Sequence, residues 1–74
     1  MDQLQTLIDR FKIIRKILKD WNSVSAEVAF DPKDTTTCVI KGSDEKLPDG
    51  WKVIELDQDD DDRTLEDLAR ELLS

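Results

Sequence analysis

The last 24 residues read WKVIELDQDDDDRTLEDLARELLS, with six carboxylates between positions 55 and 62 and a seventh at 66. Carboxylates this dense suit three tasks: holding a hard cation, starting a helix, or facing a basic partner. Counted from Glu55, the residues Glu55, Asp57, Asp59, Asp61 and Glu66 fall on positions 1, 3, 5, 7 and 12 of a calcium loop. The sixth position, where Gly makes the sharp turn, is Asp60, and the usually apolar eighth is Asp62. Glu55 also belongs to a predicted strand. No dedicated metal site is expected, and only weak surface binding of Ca²⁺ or Mg²⁺ stays open.

As a helix start, Asp62 or Thr64 can cap free amides, with Asp61 a further candidate, and the nearby carboxylates gain from the helix dipole. That benefit fades within a turn, so capping accounts for part of the run and leaves Asp57, Asp59 and Asp60 repelling one another. The third task fits the remainder. A concentrated negative patch steers basic surfaces toward it and can stand in for phosphates. The expected partner-binding residues are Asp57, Asp59, Asp60, Asp61, Asp62 and Glu66, with Trp51 as an aromatic anchor.

Other chemistry is poorly supplied. The 74 residues hold no His, so the usual general base, neutral-pH switch and commonest zinc ligand are missing. Cys38 is the single cysteine, which precludes a disulfide within the chain and favours a reducing compartment; a disulfide between two chains is the alternative. Gly42 and Gly50, the two glycines, make no phosphate-binding loop. Enzymatic activity is not expected, and no cofactor is implied.

The formal charge of −7 is unevenly spread. Positions 1–22 hold five basic and three acidic side chains, 23–56 four and seven, and 57–74 two and eight. Such a balance argues against direct nucleic-acid binding. Lys12, Arg15, Lys16 and Lys19 do form a basic ridge beside the apolar face of the first helix, read mainly as its solvated side. Charges at Asp9, Arg10, Lys12, Arg15 and Lys16 interrupt the N-terminal segment, so neither a signal peptide nor a membrane span is expected and the location reads as cytoplasmic.

These side chains need elements to hold them. Leu4, Leu7, Phe11, Ile14, Leu18 and Trp21 recur at spacings of three and four, predicting a helix over 3–21 that stops at Asn22 and Ser23. VSAEVAF alternates, predicting a strand with Val24, Ala26, Val28 and Phe30 on the buried face. DPKD reads as a turn with Pro32 at its second position, and TTTCVIK as the second strand of a hairpin over 24–41, with Cys38 and Ile40 inward. GSDEKLPDG connects to a third strand, WKVIEL, through a turn centred on Pro48 and Asp49. Leu65, Leu68, Ala69, Leu72 and Leu73 predict a final helix over about 63–73.

The expectation is one α+β domain over 1–74: helix, three-stranded antiparallel meander, helix, in two layers with both helices on one sheet face. Ser25, Glu27, Thr35, Thr37, Lys41 and Lys52 would line the open face. LPDGW is similar to the opening of WW and methyl-CpG-binding domains, without the second Trp or basic hairpin that would extend the likeness. The element order resembles that of double-stranded RNA-binding domains, which meet phosphates with a lysine-rich turn before the last helix. DQDDDDR stands there instead and repels phosphate. The expected function is non-enzymatic: an inhibitor or adaptor that occupies a basic, nucleic-acid-binding site on a partner protein, as a monomer or weak homodimer. The alternative is a small assembly subunit, or a homodimer using the first helix, with Ile13 and Ile17 as the seam.

Overall fold

The structure, a computed structural model, describes residues 2–42 and 44–73. Helix α1 (Gln3–Asp20) leads into strands β1 (Ser25–Asp31), β2 (Asp34–Ile40) and β3 (Lys52–Asp57), and helix α2 (Asp62–Leu73) follows. The element order and the α+β class are those expected. Ser43, inside the expected 42–50 connection, lies outside the described residues, as do Met1 and Ser74.

Local chemistry fixes the ends of α1. The Asp2 side chain accepts a hydrogen bond from the Leu4 amide at 3.0 Å, a capping contact at the first turn. At the other end Asn22 takes φ +53°, the Ser23 amide donates to the Leu18 carbonyl at 2.9 Å, and the Asn22 amide donates to Lys19 at 3.1 Å. This pair of bonds is a Schellman closure, and Asn tolerates the left-handed position it requires.

The sheet departs from the expectation in its order, β2-β1-β3, with all neighbours antiparallel. It is therefore not a meander: β3 returns past the hairpin to pair with β1. A central strand is covered by neighbours on both edges, and β1 is the strand that suits this place. Val28, Ala29 and Phe30 are all fully buried.

Three residues also change face. Asp31 pairs with Asp34 but Phe30 pairs with Cys38, so 35–37 bulge out of register and alternation fails there. Thr35 turns into the core as a result, its amide donating to Gln3 Oε1 at 3.0 Å and its hydroxyl 3.0 Å from the Gln3 carbonyl. Gln3 Nε2 in turn donates to the Lys33 carbonyl at 3.0 Å, which ties the start of α1 to the hairpin. Lys52 pairs with Phe30, on the helix side, and extends its ammonium to the Leu72 carbonyl at 2.7 Å. Long lysine stems allow this: the chain covers apolar surface while the charge reaches a helix end. Val24, expected inside, precedes β1 and is 73% exposed.

Other turn readings hold with small shifts. Asp31 Oδ1 accepts from the Lys33 amide at 2.9 Å, as a short Asx turn should. In the second turn the Trp51 amide bonds the Pro48 carbonyl at 3.4 Å, so Asp49 and Gly50, not Pro48 and Asp49, are central. Gly50 sits at φ +89°, where a side chain would be strained.

Both helices share one core with one sheet face. Leu7, Ile8, Phe11, Ile14 and Leu18 of α1 meet Val28, Phe30 and Leu56 of the sheet and Leu65 and Ala69 of α2. Cys38 and Ile40 pack against this core from β2, on the face expected. Phe11 and Phe30 stand edge to face with ring centroids 6.1 Å apart, a favourable arrangement of aromatic quadrupoles. Among the described residues no helix is long and apolar enough to cross a membrane.

Candidate functional site: the acidic turn between β3 and α2

Strand β3 ends at Asp57, and the chain reverses over 57–60 before α2 begins. The Asp60 amide donates to the Asp57 carbonyl at 3.2 Å, and the Asp57 amide donates to Asp60 Oδ2 at 3.1 Å. Asp60 thus closes the turn with its own side chain. Sequence alone makes Asp60 a surplus charge; a carboxylate that satisfies a backbone amide has a structural use. The Gln58 amide donates to the Val24 carbonyl at 3.0 Å and fastens the turn to the entry of β1.

Asp61 starts α2. Its Oδ1 accepts from the Thr64 amide at 2.8 Å and its carbonyl accepts from the Leu65 amide at 3.1 Å, the geometry of an N-cap. The Thr64 amide and hydroxyl, then the charges of Arg63 and Arg15, hold the Asp61 carboxyl below its usual range. Asp62, one residue further, pairs with Arg15 instead, Oδ1 to Nη2 at 2.8 Å. That bond comes first, followed by the charges of Lys12 and Arg15, in lowering the Asp62 carboxyl pKa.

Arg15 reaches the turn twice. Besides Asp62, its Nη1 donates to the Asp60 carbonyl at 2.9 Å, so one guanidinium spans the end of the turn and the start of the helix. Its side chain is only 20% exposed, against 67% for Asp62. Arg suits this role because its planar fork presents two donors in fixed directions. By helical spacing alone Arg15 belongs to a solvated ridge. Nothing local marks the contact, since 45 residues separate Arg15 from Asp60. The excess of opposite charge on the two segments was the one available signal. Lys16 and Lys19 of the same ridge remain exposed.

The remaining expected site residues divide. Asp57 and Asp59 are exposed, and neither carboxylate is held by a hydrogen bond or ion pair among the described residues. Glu66 lies one helical turn beyond Asp62 and pairs with Arg70 at 3.0 Å. Trp51 is not brought to the site. It precedes β3 while the acidic turn follows it, about 20 Å of strand away at roughly 3.3 Å per residue. Asp57 through Glu66 therefore make one surface, and half-buried Trp51 belongs to the other end of the sheet.

The calcium-loop spacing does not become a cage. Glu55 lies within β3 directly opposite Glu27 of β1. Among the described residues no three His, Cys, Asp or Glu side chains gather as a metal-binding group. A separate hollow of about 230 Å³ lies between Gln3 and Thr6 of α1 and Asp34, Thr35 and Thr36 of β2. It is smaller than the roughly 300–1,000 Å³ of common ligand pockets. None of the expected site residues lines it. Among the described residues every buried side-chain polar atom has a hydrogen-bond partner.

Compared with protein-family models, curated protein sequences and solved structures, the chain gave no match.

Proposed function

We propose that the chain is a non-enzymatic interaction domain whose acidic turn engages a basic surface on a partner protein. It would act as an inhibitor or adaptor, in a cytoplasmic setting, at a site on that partner that otherwise takes nucleic acid. The observation that carries this reading is the anchoring of the turn. Asp57 and Asp59 stay exposed and unpaired on a backbone fixed by Asp60, Asp61, the Val24 carbonyl and Arg15. A charged surface held in place loses little conformational entropy on binding, and its field speeds encounter with a basic partner. The lowered Asp61 and Asp62 carboxyls keep their charge in mildly acidic conditions as well.

Competition tests the reading. Proteins captured on the immobilised chain from its source cell should be released by a short DNA or RNA duplex, and should bind that duplex themselves when isolated. Captured proteins with no affinity for nucleic acid would remove the mimicry. Absence of any salt-sensitive capture would remove the basic partner too.

A further inference from the structure

Opposite the acidic turn, α1 carries an apolar stripe that the fold leaves uncovered. Ile13, Ile17 and Trp21 recur every fourth residue; Ile13 is 52% exposed and Trp21 66%, with Ile17 half-buried between them. Arg10 and Asp20 flank the stripe at its two ends, both exposed and neither in an ion pair among the described residues. Residues two apart on a helix point about 200° apart. Ile13 and Ile17 therefore face away from Arg15, which lies between them in sequence and grips the acidic turn. The most negative part of the molecule is on the far side of the helix from this stripe.

We infer that the stripe is the seam of a two-fold homodimer in which α1 packs antiparallel on α1 of a second copy. A two-fold axis through the level of position 15 sets each residue against the one whose number sums with its own to 30. Ile13 then meets Ile17 of the other copy, twice. Arg10 meets Asp20 of the other copy, also twice, and Trp21 falls on the opposite flank, across from Asp9. This register closes on itself, as an isologous contact must, and joins opposite charges at both ends. A parallel arrangement would set Arg10 on Arg10 and Asp20 on Asp20. The footprint of a single helix flank is well below the roughly 800 Å² per partner of standard stable interfaces, so the dimer is a weak one. The inference rests on α1 alone and is independent of what the acidic turn binds.

Sedimentation equilibrium over a concentration series reads the dimer directly. Wild type should pass from monomer to dimer between micromolar and millimolar chain, and I13E should remain monomeric. R10E and D20R should each weaken association by about tenfold, as two like-charge contacts replace two favourable ones. The R10E/D20R double variant should recover most of that loss. All three positions of change are exposed, so dilute-solution melts of the four variants serve as the control for folding. A wild type monomeric at millimolar concentration overturns the seam. A dimer indifferent to I13E overturns it as well, and a double variant as weak as either single overturns the register.

Discussion

Replacing Arg15 with Met keeps most of the side-chain bulk and removes both arms of the contact with the acidic turn. The arm to the Asp60 carbonyl is a part-buried hydrogen bond from a charged donor. Such bonds contribute about 1.5–3 kcal/mol, and water can partly replace the donor at this half-exposed carbonyl, so a loss of about 1–2 kcal/mol is expected. At about 4–8 °C per kcal/mol for a domain this size, the melting temperature falls by roughly 4–16 °C. The Asp62 arm separates from it by pH. Arg15 holds the folded Asp62 carboxyl below its usual value of 3.8. A depressed folded pKa adds stability above the unfolded pKa, and that stability is lost as pH falls through the folded value. The gap between wild type and R15M is therefore widest near neutrality. It narrows from about pH 5 downward to a remainder set by the Asp60 arm. Urea unfolding followed by tryptophan fluorescence at neutral and acidic pH measures both quantities. A variant that melts with wild type, or a gap that ignores pH, would refute the two-armed contact and the preordering of the turn with it.

Three further outcomes follow from the fold. F11A empties the centre of the core and breaks the edge-to-face pair with Phe30; a loss of about 3–5 kcal/mol is expected, and chemical denaturation should find the variant near the limit of stability. T35V removes the hydroxyl that meets Gln3 in the buried bulge, costing about 1–3 kcal/mol, whereas T36V at the exposed neighbour should cost far less. Burial pushes the Cys38 thiol up to about 11 against a smaller lowering by Arg10, so alkylation at pH 8 should be much slower in the native chain than in denaturant.

The helices were legible because their signals are local. The spacing of Leu7, Phe11, Ile14 and Leu18 is enough to define a helix and its buried face, and Asn22 supplies its own stop. The strands were legible as segments for the same reason, but their order was not. A two-residue turn forces β1 beside β2, yet nothing in the nine-residue connection says whether β3 joins β2 or β1. In retrospect Val28-Ala29-Phe30, buried on both faces, marks β1 as central, while Thr-rich β2 and the charged ends of β3 suit edges. A bulge defeats alternation at Thr35. Lys52 instead follows alternation onto the face of Ile54 and Leu56, and only its charge argues for the open face; its long stem resolves that conflict by carrying the ammonium to the end of α2. In the acidic run, composition revealed the charge but not its internal uses. Asp60 closes a turn, Asp61 caps a helix and Asp62 meets Arg15, which leaves Asp57 and Asp59 as the unengaged pair.

That pair offers the most direct test of the proposed role. The D57N/D59N variant removes two exposed charges and keeps every bond that holds the turn, so it should melt with wild type or slightly higher. Its association rate with a captured basic partner should nevertheless be lower and should depend less on salt, since steering between exposed charges is screened within about 10 Å at 0.1 M. The measurement is the association rate of both proteins across ionic strength. A variant that binds more slowly at low salt and converges with wild type at high salt is the predicted result. Equal rates and equal salt slopes would show that the acidic turn does not attract the partner.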